Sequence, residues 1–230
     1  MWFSFVQLQV ELLRSCRSLG SVESLSFEAI ASDMIDTLPS LTSLTGCAGG
    51  QAGTVAVDTK CAHLECLCLL ITKGQTSWPF LQDIATCKLL RELEVIIPSL
   101  RAEYLDALAG LPLLQSFTLH AAPFTALHCA RLADALANNE HFRELQVIGE
   151  TMRGDSLHEL ASALTAVETL RLGLCSLHAA DLLRILSDPN VFPRLKTLSM
   201  SHFGAAVEER ELTHRRPMLS LQTSLILSAW

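Results

Sequence analysis

Val167-Glu168-Thr169-Leu170-Arg171-Leu172-Gly173-Leu174-Cys175-Ser176-Leu177 reads L-x-x-L-x-L-x-x-C-x-L, with Val in the first slot. The two-residue alternation around Leu170 and Leu172 is that of a strand with one face buried. Looser copies of the same triplet recur along the chain. They are Val22/Leu25/Phe27, Leu41/Leu44/Gly46, Leu64/Leu67/Leu69, Leu90/Leu93/Val95, Leu114/Phe117/Leu119, Phe142/Leu145/Val147, Val167/Leu170/Leu172 and Leu195/Leu198/Met200. Their central residues stand at 25, 44, 67, 93, 117, 145, 170 and 198, at intervals of 19, 23, 26, 24, 28, 25 and 28. Near-regular spacing of this kind marks a chain built from stacked copies of one small unit.

Helical patterns lie between the triplets. Ala29 to Leu38 and Ala102 to Leu108 are two of them. Cys129, Leu132, Ala133 and Leu136 hold i, i+3, i+4, i+7 spacing, as do Leu157, Leu160, Ala161 and Leu164, and Leu182, Leu183 and Leu186 mark another. Pro39, Pro112 and Pro193 come shortly before the next strand, where proline stops a helix and sets an extended approach.

Triplet, turn, helix and period together resemble the leucine-rich repeat, over roughly residues 20 to 203. The later units, with Ala130 to Asn139 leading into Phe142, resemble its ribonuclease-inhibitor-like type. The resemblance implies an α/β solenoid with a curved parallel sheet on the concave side and helices on the convex side. It also implies a non-catalytic protein–protein interaction scaffold, such as the substrate-recognition part of a ligase adaptor or the sensing part of a receptor. That functional step is fold-level analogy. One slot departs from the family: where it places Asn or Cys, this chain has Ile30, Gly49, Thr72, Pro98, Ala122, Glu150, Cys175 and Phe203. Only Cys175 conforms, so turns satisfied by other bonds are expected.

The organisation read from the pattern has three parts. Residues 1–19 form an N-terminal helical segment or cap, 20–204 the solenoid of about eight repeats, and 205–230 an irregular tail or degenerate last repeat around Leu225/Leu227. Gly46 to Thr54 reads as a loop. Both ends are apolar, with Trp2, Phe3 and Phe5 at one and Leu225, Leu227 and Trp230 at the other. Solenoid ends normally carry polar caps, so self-association or a place within a longer solenoid is an alternative reading. An enzyme on a (β/α)8 barrel is the other alternative, because eight βα units in about 250 residues is its usual size.

Composition narrows the function classes. Half of the 230 residues are hydrophobic and 18% are charged, which favours a packed core over disorder. The formal charge of −7 argues against nucleic acid as a ligand, since phosphate binding needs a basic stripe. Eight Cys without a C-x-x-C pair or a disulfide-like spacing suggest a reducing, cytoplasmic setting. Residues 1–10 lack the basic start of a signal peptide, and no uncharged apolar run reaches the ~18 residues of a membrane span.

Sites follow from the strand alternation. Residues flanking the central position face out onto the concave sheet. This places Glu92, Glu94, Glu144, Gln146 and Arg171 outward, with an apolar patch at Leu70, Ile96 and Ile148. These eight residues are the candidate protein-binding surface. Eight strands ~4.8 Å apart and three outward residues deep give on the order of 400 Å². A stable interface needs about 800 Å² per partner, so loop rims must contribute.

No catalytic constellation, cofactor site or metal site is expected. Cys61-x-His63-x-x-Cys66-x-Cys68 cannot gather tetrahedrally on a flat strand. His158-Glu159-Leu160-Ala161-Ser162 lacks the second His of a zinc motif, and the 46–54 glycines lack the G-K-[S/T] ending of a phosphate loop. His120, His128 and His178 read as turn or surface residues.

Overall fold

The structure, a computed structural model, describes residues 24–27, 42–48, 63–71, 84–121, 123–149, 154–173, 179–201 and 220–223. The N-terminal segment, the Ala29–Leu38 helical pattern, the polar stretch 205–217, His178 and the apolar termini lie outside these residues.

Among the described residues, nine strands form one parallel sheet in strict sequence order: β1 (Ser24–Phe27), β2 (Ser43–Ala48), β3 (Cys66–Ile71), β4 (Glu92–Ile97), β5 (Ser116–Ala121), β6 (Glu144–Ile148), β7 (Thr169–Gly173), β8 (Thr197–Ser201) and β9 (Ser220–Thr223). The central triplet residues stack in one lateral row: Leu25, Leu44, Leu67, Leu93, Phe117, Leu145, Leu170 and Leu198 are successive register partners. The repeat read from sequence is therefore the register of the sheet. β1 and β9 stand at opposite ends of the order, so the sheet is open and the barrel reading is excluded.

Among the described residues, a 3-10 helix (Ala102–Gly110) and three α-helices lie opposite the sheet, α1 (Ala126–Leu136), α2 (Gly154–Ala163) and α3 (Ala179–Ser187). The molecule is an α/β leucine-rich repeat solenoid. Its core runs between sheet and helices as one continuous apolar seam. First-slot residues such as Leu114, central residues such as Leu170 and third-slot residues such as Leu172 are all buried. Leu132, Leu136, Leu157, Leu160, Leu182 and Ile185 close the seam from the helix side. Each buried aliphatic contributes roughly 1.5–3 kcal/mol over its exposed state, and only the stacking of neighbouring coils supplies that burial.

Two backbone devices recur from coil to coil where the chain enters its strands. The carbonyl two residues before each central position accepts two consecutive N–H groups of the next coil. Thr42, Glu65, Arg91, Gln115, Arg143 and Glu168 all do this, for example Glu65 O with Arg91 N at 2.7 Å and Glu92 N at 3.0 Å. At the helix-to-strand corner, the carbonyls of Cys87, Leu111, Asn139, Leu164 and Phe192 accept the N–H three residues on. Asn139 adds side-chain bonds to the Leu111 and Leu114 carbonyls of the preceding coil, at 3.2 and 3.1 Å. Of the eight slots where the family has Asn or Cys, only Pro98 is described, and it is exposed.

The ninth strand is Ser220–Thr223, with Leu221 in register with Leu198, while Leu225 and Leu227 lie outside the described residues. The helical pattern at Ala102 takes the form of a 3-10 helix. Two expectations change. β2 runs through Gly46–Ala48, because neighbouring strands supply partners to a backbone whose own side chains carry little β preference. His128 is a buried residue rather than a turn or surface one.

Candidate functional site: the concave sheet face

The outward positions form three lateral rows across the strands. In the first, Cys66, Glu92, Ser116, Glu144, Thr169 and Thr197 are successive partners; in the second, Cys68, Glu94, Thr118, Gln146, Arg171 and Ser199. The third includes Leu70, Ile96, His120, Ile148 and Gly173. Burial alternates as the pleat requires. Glu92 and Arg171 are exposed, while Glu94, Ile96, Glu144, Gln146 and Ile148 are partly exposed between buried neighbours. Leu70 is placed by its backbone pairing with Ile96. Gly173, an outward position in the alternation, is instead buried; its carbonyl accepts the Gly149 N–H at 3.0 Å.

The rows bring side chains from different coils together. Arg171 on β7 reaches Glu144 on β6 at 3.1 Å. Cys68 Sγ on β3 donates to Glu94 Oε2 on β4 at 3.3 Å, and His120 Nε2 on β5 lies 4.0 Å from Glu94 Oε1. Burial first, then the Glu94 hydrogen bond and charge, together push the Cys68 thiol up to about 11. Burial also raises the Cys66 thiol, helped by Glu92. The His120 imidazole is held below its ordinary value by burial, against an opposing pull from Glu94. A thiol, a carboxylate and an imidazole thus lie close together, but the carboxylate stabilises the protonated thiol. That is the reverse of what a thiolate nucleophile needs. Among the described residues no three His, Cys, Asp or Glu side chains are arranged to hold a metal ion.

At the strand entry, one residue earlier, opposite charges pair along a rim. Arg91 pairs with Glu65 at 3.4 Å, and Arg143 with Glu168 at 3.7 Å, while Lys196 donates to the same Glu168. Those contacts lower the Glu168 carboxyl, the Lys196 hydrogen bond first. The strand alternation identified the outward residues, Gly173 excepted, but not these pairings between coils. Side-chain reach across strands depends on which coil brings which residue alongside, and that is fixed only once the register is.

No family model matches the sequence, and no curated protein matches it. Solved structures do. A protein from Bacteroides fragilis superposes with a TM-score of 0.52 at 16% identity, over 88% of this chain and 74% of that one. The likeness is one of fold. A leucine-rich repeat protein from Leptospira interrogans gives a TM-score of 0.46 at 14% identity, over 93% of this chain and 56% of that one. A chain of the Drosophila Toll–Spatzle complex gives 0.48 at 12%, over 86% of this chain and 30% of that one. Among the described residues no helix is long and apolar enough to cross a membrane.

Proposed function

We propose that the chain is a non-catalytic scaffold that binds a protein partner through the concave sheet and its rims. It acts as a substrate-recognition or sensing module in a reducing, cytoplasmic setting. Its last units are of the ribonuclease-inhibitor-like type, since α1 to α3 are full helices on the convex side. The carrying observation is the outward placement of Glu92, Glu94, Ile96, Glu144, Gln146, Ile148 and Arg171 in continuous rows on one face. Leu70 extends the apolar row by one strand. A mixed face of carboxylates, amide, guanidinium and partly exposed aliphatics has the composition of a protein interface rather than of a phosphate-binding one.

The test is photo-crosslinking from the native cell. A photoreactive residue replaces Gln146 on the sheet in one variant and Asp134, exposed on the convex helix α1, in another. Crosslinked partner from position 146 and not 134 supports the proposal. The reverse pattern moves the docking face to the helices.

A further inference from the structure

We infer that the segment docked on β4–β6 carries a lysine or arginine beside an aliphatic side chain. The inference rests on the reading of the concave sheet as a docking face and names the partner's chemistry. Charge complementarity carries it. Among the described residues, each cation on β3–β8 or at the residue entering them is already committed. Arg91 is paired to Glu65, Arg143 and Lys196 to Glu168, and Arg171 to Glu144. Glu92 and Glu94 are left. Their companions are the thiols of Cys66 and Cys68, which stay protonated, and His120, which burial keeps neutral near pH 7. Among the described residues, these two carboxylates, two residues apart on one strand face, thus have no lysine or arginine paired to them.

The surroundings suit a long cationic side chain. Ser116 and Thr118, the partners of Glu92 and Glu94 on β5, are small and polar. They leave room beside the carboxylates where a bulky neighbour would fill it. One row further along, Ile96 and Ile148 flank His120 and remain partly exposed. The diagonal from Glu94 to the His120 position, one strand and one row away, is roughly 8 Å. Alternate side chains of an extended segment are spaced nearly that far apart, ~6.8 Å. A cation on Glu92 and Glu94 therefore places the side chain two positions on over the aliphatic row. The cation's stem also packs on apolar surface while its head reaches the carboxylates.

The experiment is an amide NMR titration of the full chain at low ionic strength. The probes are acetyl-Ser-Arg-Ser-Ile-Ser-amide and the same peptide with citrulline, the neutral isostere, in place of arginine. The expected result is saturable shifts in Glu92–Ile97 and Ser116–Ala121, with the citrulline peptide about tenfold weaker, as loss of one charge-assisted contact implies. The Glu92→Gln/Glu94→Gln variant, with its other amide shifts in place, should bind both peptides alike. Equal shifts from both peptides on the parent chain would overturn the cationic inference and leave the docking face standing. Absence of concave-face shifts with either peptide would overturn both.

Discussion

His120 shows how a single position on the sheet couples burial to charge. Its imidazole is held below the ordinary value of 6.5 chiefly by burial. As pH falls through that value, the unfolded chain takes up a proton that the folded chain does not, so folding stability falls with it. The loss is complete once the folded-state imidazole also titrates. Melting temperature should therefore decline on acidification below about pH 6.5. The His120→Gln variant should show a shallower decline over the same window, and identical profiles would contradict the assigned burial. Leu170 and Arg171 make the complementary test. Leu170→Asp buries an unpaired carboxylate in the seam and should cost several kcal/mol. Arg171→Asp removes a surface ion pair with Glu144 and brings two carboxylates close, a change of about 1 kcal/mol. Equal melting temperatures for the two variants would contradict the register. That register was legible in sequence because alternation assigns every residue to one face. His128 was not, because its environment comes from another coil. Nε2 lies 2.9 Å from the Leu100 carbonyl, which only accepts, so Nε2 carries the proton and Nδ1 accepts the Thr125 N–H at 3.1 Å.

At the scale of elements, that histidine ties the start of α1 to the preceding coil. His128→Ala leaves the Leu100 carbonyl and the Thr125 N–H without their partner and should destabilise by about 1–3 kcal/mol in chemical denaturation. An unchanged midpoint would place the anchoring of α1 elsewhere. Close approach between coils is a second device. A Cβ on Gly149 would stand 2.7 Å from the Ala121 carbonyl oxygen and 2.8 Å from Phe124 Cβ. Backbone on one side and a fully buried ring on the other leave little freedom to move. Gly149→Ala should cost about 1–3 kcal/mol and speed amide exchange at the ends of β5 and β6. Sequence periodicity located the strands and the three α-helices, since both follow from which side chains repeat. It did not mark β9, because Leu221 matches the central row without the full triplet. The corner position was readable too: Cys87, Leu111, Leu164 and Phe192 recur three residues before the first slot. Asn139 breaks the apolar run and bonds backbone instead, which hides it from a search for hydrophobic period. Phe192 is the other irregular member, fully buried at a φ of 46° where bulky residues are strained.

At the scale of the whole molecule, each strand pairs only with the coils before and after it in sequence. The concave face is thus a surface assembled one row at a time, and its chemistry varies with position along the solenoid. Opposite charges pair along the entry rim, Arg171 and Glu144 pair with each other beyond the middle, and Glu92 and Glu94 stand on β4 with the aliphatic row beyond them. The outward residues were legible in sequence as a set. Which of them remain uncompensated was not, because pairing runs between residues about 26 positions apart. The central claim is that this face is where a protein partner docks. Affinity capture from the native cell with the parent chain, beside the Glu92→Lys/Glu94→Lys variant, tests it most directly. Both substitutions lie on exposed or half-exposed positions, so the variant should fold with a circular dichroism spectrum like that of the parent. The account predicts a protein retained by the parent and lost from the variant. A partner recovered equally by both would contradict it.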